Sequence, residues 1–181
     1  QWEELPDGIR FSLYSPDGEG GFPGNIRVIT DYRFNEDNEL SVRHYAETDC
    51  ATYINMTNHA YFNLCGKGKK ITEHRLHIPA DRILDTTPAF IPTGKRMNVK
   101  NTPFDFTSLK PIGTDLYADH EQLLWNKGYN HCYILKDEIS VEMLEAASLY
   151  EPVTGRNMTV MTDLPAVLLY TAGYYERPDT A

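Results

Sequence analysis

Short runs of alternating apolar and polar residues, separated by turn residues, dominate the chain. In residues 25–34 the apolar side chains fall on one parity and the charged ones on the other, which is typical of a half-buried strand. Residues 40–47 repeat this alternation, and the polar residues 35–38 between the two runs suit a hairpin loop. The pattern therefore predicts a pair of antiparallel strands.

Further runs rich in β-branched and aromatic residues predict strands at 51–62, 74–78, 129–135, 142–150, 158–162 and 167–175. Helical spacing is rare, and residues 114–126 give the best example, with Leu116, His120 and Leu123 at mixed three- and four-residue intervals. Many short strands with little helix are typical of an all-β sandwich or barrel. A chain of 181 residues with 41% hydrophobic content is expected to form one domain, residues 1–181.

The segment Thr57-Asn58-His59-Ala60-Tyr61-Phe62-Asn63-Leu64 carries the most chemistry. If residues 52–64 form one regular strand, the odd-numbered residues, including His59 and Tyr61, share a polar face and the even-numbered ones face the core. A sheet face with imidazole, phenol and amide groups suits a sugar, whose hydroxyls need donors and acceptors. His59 is a candidate general acid or base. The alternative is an ordinary hydrogen-bonded histidine.

Other histidines do not suggest a metal site. His74 and His77 would lie on opposite faces of a strand, so we interpret both as structural or surface residues rather than ligands. His120, between Asp119 and Glu121, is interpreted as part of a solvated charge cluster. No metal is expected.

Charge and cysteine content exclude several function classes. The net charge is -9, and no Lys/Arg cluster is long enough to follow a phosphate backbone, so nucleic acid is not an expected partner. The apolar runs are far shorter than the roughly 20 residues that span a bilayer, so no membrane association is expected. Cys50, Cys65 and Cys132 form no CxxC pair, which argues against a disulfide framework and favours a cytoplasmic setting.

A set of motifs in fixed order makes the chain resemble the aldose 1-epimerases (galactose mutarotases). The motifs are Ser15-Pro16-Asp17-Gly18, Gly21-Phe22-Pro23-Gly24, the segment 57–64, Pro92-Thr93-Gly94, Phe104-Asp105-Phe106, Gly128-Tyr129-Asn130-His131 and Thr154-Gly155-Arg156-Asn157-Met158. The resemblance implies a large antiparallel β-sandwich, of which residues 1–181 form the central and C-terminal part. We expect a monomer or weak dimer.

The resemblance also implies an activity, the interconversion of the α and β anomers of a free hexose such as galactose or glucose, with no cofactor. His59 falls on the family's acid, and Tyr61 borders the same sugar site. Asn130 falls on a sugar-binding aspartate, so a charged acceptor is lost while a hydrogen-bonding side chain remains. Leu168 falls where a sugar-contacting Gln is expected.

The remaining catalytic groups of the family are expected outside residues 1–181. They are an upstream Arg, an upstream His and a downstream Glu that acts as the base; Glu176 lies too early to be that base. Two alternatives follow. The departures at Asn130 and Leu168 together with the missing base suit a non-catalytic sugar-binding or regulatory homologue, whereas an enzyme for a phosphorylated hexose ranks last because no Arg or Lys cluster forms a phosphate pocket.

Overall fold

A computed structural model of the chain describes residues 1–66, 69–138 and 141–174. The strands are β1 (Trp2–Leu5), β2 (Gly8–Ser15), β3 (Ile26–Phe34), β4 (Leu40–Thr48), β5 (Arg75–His77), β6 (Arg82–Thr86), β7 (Pro92–Asn98), β8 (Lys110–Pro111), β9 (Asn130–Ile134), β10 (Leu144–Tyr150), β11 (Asn157–Thr162) and β12 (Ala166–Tyr170). The helices are α1 (Glu121–Asn126) and 3-10 turns at Glu19–Gly21, Ile71–Glu73 and Ile112–Thr114. None of the helices in the described ranges is long and apolar enough to cross a membrane.

The strands form three four-stranded antiparallel sheets, with the orders β1-β2-β3-β4, β11-β10-β5-β8 and β12-β9-β6-β7. The expected all-β, antiparallel fold class is confirmed. The chain divides into two compact units, Gln1–Tyr61 and Phe62–Ala181.

The first unit is built on the sheet β1-β2-β3-β4 and contains the expected hairpin, β3–β4. Its loop closes because the Asn35 Oδ1 atom accepts the backbone N–H groups of Asp37 and Glu39, at 3.0 Å each. A cross-strand ion pair joins β2 to β3, with the Arg10 guanidinium donating to both carboxylate oxygens of buried Asp31 at 2.6 and 2.7 Å. These hydrogen bonds hold the pKa of Asp31 below its usual range.

The second unit encloses an apolar core between its two sheets. Ile83, Phe106, Tyr129 and Tyr133 are all fully buried within it. Both tyrosine hydroxyls have hydrogen-bond partners. Tyr129 donates to the Pro103 carbonyl at 3.0 Å, and Tyr133 donates to the Phe104 carbonyl at 2.9 Å. Burial of the aromatic rings thus leaves neither polar atom unpaired.

The predicted strand at 51–62 is wrong, since no regular strand lies between residues 49 and 63. Asparagine side chains make local turns there instead. Asn58 Oδ1 accepts the backbone N–H of Ala60 at 3.1 Å, and Asn63 Oδ1 accepts that of Cys65 at 3.1 Å. Such turns satisfy backbone donors that a strand would present to a neighbouring strand.

The predicted helix at 114–126 is mostly wrong, because only its C-terminal half is helical, as α1. The helix begins after His120, whose Nδ1 atom accepts the backbone N–H of Gln122 at 3.3 Å. His120 is half-buried, with its ring 4.8 Å from that of Phe104. The interpretation as a solvated charge cluster therefore holds for its exposed acidic neighbours but is wrong for His120 itself.

Candidate functional site

His59 and Tyr61 lie together at the C-terminal end of the first unit. Their ring centroids are 5.4 Å apart and the planes meet at 80°, an edge-to-face arrangement. Both residues are exposed, and no described residue forms a hydrogen bond with either ring nitrogen of His59. The imidazole is therefore open to a ligand.

Local turns, rather than strand alternation, bring these rings together. Two of the side chains expected to face a core on the other parity do not do so, since Ile54 is 43% and Phe62 46% exposed, whereas Leu64 is half-buried and packs against the core of the second unit. The shared polar face predicted for His59 and Tyr61 thus rested on a wrong secondary structure. The proximity of the two residues is nevertheless observed.

The backbone just beyond these residues is fixed inside the second unit, at Leu64. Its N–H donates to Nε2 of His74 at 3.0 Å, and its carbonyl accepts from Arg156 Nη1 at 2.8 Å. The Thr154 hydroxyl oxygen lies 3.4 Å from the same carbonyl but donates its one proton to Glu151. His74 is 1% exposed, and burial lowers the pKa of its ring. A neutral imidazole can accept the Leu64 proton, so His74 acts structurally, as expected.

Glu151 organises the turn that carries two of these groups. Its buried carboxylate accepts the Thr154 hydroxyl at 2.6 Å, the Thr154 N–H at 2.6 Å and the Val153 N–H at 3.0 Å. The hydroxyl hydrogen bond and then the two backbone bonds lower the pKa of Glu151 to about 2. The sequence reasoning assigned no role to Glu151; the adjacent Thr154-Gly155-Arg156 motif was the signal that could have pointed to it.

Asn130 begins β9 in the second unit and is half-buried. Its Nδ2 donates to Oδ1 of Asn126 at 3.1 Å. In the antiparallel pair with β12, Cys132 lies opposite Leu168, so both share the sheet face of Asn130. Leu168 is 59% exposed and contributes an apolar surface where a Gln was expected.

The next residue, His131, points to the opposite face and is fully buried. Its Nδ1 accepts the backbone N–H of Asn130 at 2.9 Å, while Nε2 has no partner among the described residues. The ring lies 4.4 Å from that of Phe104. Burial lowers the pKa of His131 to about 4, so the ring is neutral near pH 7.

Metal chemistry has no obvious site in the described ranges. No group of three or more His, Cys, Asp and Glu side chains there is arranged to hold a metal ion. The chemistry that these residues offer is proton transfer by an exposed imidazole and hydrogen bonding by amides and hydroxyls.

A model of the aldose 1-epimerase family matches residues 1–179. The chain belongs to the aldose 1-epimerase family, which confirms the resemblance drawn from its ordered motifs.

The chain is also similar to individual proteins with names of this family. The chain is 35% identical over 166 residues to the aldose 1-epimerase of Escherichia coli (strain K12), covering 92% of this chain and 47% of that protein. It is 35% identical over 173 residues to the galactose mutarotase of Homo sapiens, covering 95% of this chain and 48% of the relative. A crystal structure of a galactose 1-epimerase from Lactobacillus acidophilus NCFM superposes with a TM-score of 0.82 at 29% identity, over 97% of this chain and 50% of that one. The chain thus spans about half the length of these relatives.

Proposed function

We propose that residues 1–181 supply the acid half of an aldose 1-epimerase that interconverts the anomers of a free hexose such as galactose or glucose. The observation that carries the proposal is the exposed His59 ring, packed edge-on against Tyr61 and with no described hydrogen-bond partner, in a chain of this family. The names of the relatives in Escherichia coli and Homo sapiens support the reaction class.

The reaction requires two proton transfers on opposite sides of one bond. His59, in its protonated form, gives a proton to the ring oxygen while a base removes the proton of the anomeric hydroxyl. The bond between C1 and the ring oxygen then breaks to leave an open-chain aldehyde. After rotation about C1–C2, the hydroxyl that was the ring oxygen attacks C1 and returns its proton to His59 while the base returns its proton to the aldehyde oxygen, which gives the other anomer. We assign the base to a Glu outside residues 1–181, and Glu176 lies outside the described residues.

Tyr61 and Asn130 are proposed to bind the sugar. The exposed Tyr61 ring offers an apolar face to the C–H groups of a pyranose and a hydroxyl at its edge. Asn130 offers an amide in place of a carboxylate, and a neutral hydrogen bond is weaker than a charge-assisted one. We therefore expect a higher KM than an aspartate at this position would give.

Polarimetry of freshly dissolved α-D-galactose or α-D-glucose with the full-length protein tests the proposal. We expect faster anomerisation, and a loss of about 100-fold or more in kcat for His59→Gln, because general acid catalysis contributes at least that factor. His44→Gln is the matched control, since His44 lies on β4 and bonds Thr30 at 3.0 Å. Rates equal to those of buffer alone would contradict the proposal.

A non-catalytic sugar-binding homologue is the second candidate. It is favoured by the amide of Asn130 and by the exposed, apolar Leu168 on the same sheet face. Calorimetry decides between the two: sugar binding without any acceleration of anomerisation would support this alternative, and His59-dependent turnover would exclude it.

A further inference from the structure

Two asparagines couple helix α1 to the start of β9. Asn126, the last residue of α1, is 1% exposed, and its Nδ2 donates to the backbone carbonyl of Gln122 at 2.8 Å. Its Oδ1 accepts from Nδ2 of Asn130 at 3.1 Å. The chain reverses between the two asparagines through Lys127 in the left-handed region, with φ 50°.

The direction of both amides follows from one backbone atom. A carbonyl oxygen can only accept, so the Gln122 carbonyl requires the NH2 group of Asn126 on its side. The Asn126 oxygen must then face Asn130, which has to present its own NH2 group to that oxygen. The Oδ1 atom of Asn130 therefore points away from Asn126, and no described residue donates to it.

Gln122, whose backbone carbonyl orients both amides, is itself held in place by its side chain. The Gln122 side chain is 1% exposed, and its Nε2 donates to Asp85 Oδ1 at 2.7 Å and lies 3.5 Å from Met97 Sδ. Its Oε1 accepts from the Thr86 hydroxyl at 3.4 Å. Helix α1 is thus fastened to strands β6 and β7, and rotation of the helix to release Asn126 would break these buried bonds.

We propose that Asn126 is a positioning residue that fixes the orientation of the Asn130 amide, so that its Oδ1 atom, an acceptor, is the end turned toward the sugar. The inference rests on the proposed function for the presence of a sugar there. A freely rotating asparagine can turn either its oxygen or its NH2 group toward a hydroxyl, whereas the fixed Oδ1 atom of Asn130 can only accept a proton from that hydroxyl. Asn130 Oδ1 then accepts a hydrogen bond from a sugar hydroxyl, as a carboxylate oxygen would, without carrying a charge.

Deoxy and deoxyfluoro hexoses test the direction of this hydrogen bond in the wild-type full-length protein. Fluorine cannot donate a proton, so both analogues at the carbon that faces Asn130 should bind about 3- to 10-fold more weakly than the parent sugar. The carbon is identified by calorimetry as the one whose deoxy penalty disappears in Asn130→Ala. A fluoro analogue that binds clearly better than the deoxy analogue at that carbon would overturn the proposal, because it would show a donating amide.

Asn126→Ala tests whether Asn126 fixes the orientation of the Asn130 amide. With Asn126 Oδ1 removed, the Asn130 amide can turn its NH2 group toward fluorine, and the affinity ratio of fluoro to deoxy analogue should rise about 3-fold. A purely structural role would weaken both analogues alike and leave the ratio unchanged, which would refute the positioning role. Asn98→Ala, which removes an amide from β7, is the control and should keep the wild-type ratio. If Asn126→Ala does not fold, the wild-type and Asn130→Ala comparison still decides the direction of the bond.

A measurement without sugar separates this proposal from the proposed function. In NMR spectra of the 15N-labelled free protein, the Asn130 side-chain NH2 should show one proton slow to exchange, and Asn126→Ala should abolish that protection. Protection that survives in Asn126→Ala would overturn the positioning role of Asn126, whatever the sugar data show. Conversely, if the Asn130 NH2 proton is protected but the protein does not accelerate anomerisation, only the proposed function is contradicted.

Discussion

The buried imidazole of His131 should make the protein measurably acid-sensitive. In the folded state its pKa is about 4, against an ordinary value of 6.5, because burial disfavours the charged ring. Above pH 6.5 the ring is neutral whether or not the chain is folded, so it contributes no pH dependence there. As the pH falls from 6.5 to 4, only the unfolded chain takes up the proton, and stability declines. At about 1.4 kcal/mol per pH unit, the decline attributable to His131 is about 3 kcal/mol.

Urea unfolding at pH 7, 5.5 and 4 measures this contribution when wild type is compared with His131→Phe. The phenyl ring fits the aromatic surroundings that Phe104 provides but cannot accept the Asn130 N–H, so the variant is less stable at neutral pH. Its free energy of unfolding should nevertheless fall by about 3 kcal/mol less than that of wild type between pH 7 and 4. His59→Gln, at an exposed position, is the control and should keep the wild-type decline. Parallel declines for wild type and His131→Phe would refute the reasoning.

Three further changes have defined outcomes. Glu151→Gln should destabilise the protein at pH 7, and the deficit should shrink as the pH falls from 4.5 toward 2, because the carboxylate stabilises the fold only while it is ionised; denaturation at pH 7 and 3 shows this, and a constant deficit would contradict it. Gly128→Ala should cost more than about 1 kcal/mol in urea unfolding, since φ is 136° there and a Cβ would lie 2.6 Å from Thr171 Oγ1; an unchanged midpoint would count against the geometry. Phe106→Ala should cost about 3–5 kcal/mol by the same assay, because a fully buried ring leaves a cavity, and a loss below about 1 kcal/mol would disprove that packing.

Alternation predicted the β3–β4 hairpin well because this sheet is half-exposed, so burial on one face imposes a period of two. The same rule failed at 51–62, where the asparagine turns at Asn58 and Asn63 satisfy the backbone locally. Strand β7 was not predicted at all, because its sequence shows no alternation. It is paired to β6 but almost wholly exposed, so no apolar parity marks it in the sequence.

The sequence predicts the candidate site residues that lie in recognisable motifs, but not the contacts that hold them in the fold. Motif order selects His59, Tyr61 and Asn130 as candidates, but some of the groups that fix the neighbouring backbone and helix come from distant positions. Arg156, which holds the Leu64 carbonyl, lies 92 residues from it, and Asp85, which holds the Gln122 side chain, lies 37 residues from that side chain, so no local spacing reveals either contact. Long-range hydrogen bonds of this kind depend on the folded topology rather than on a periodic pattern.

The attachment of Leu64 has a consequence for the order of folding. Its partner Arg156 lies 92 residues downstream, while His74 lies only 10 away. At about 5–20 residues per second of synthesis, the Leu64 carbonyl stays without its guanidinium for roughly 5–20 s after it leaves the ribosome. Closing so long a loop is also slow in refolding, because its entropy is lost before the contact forms. The backbone that follows the candidate acid should therefore be among the last parts of the chain to become native.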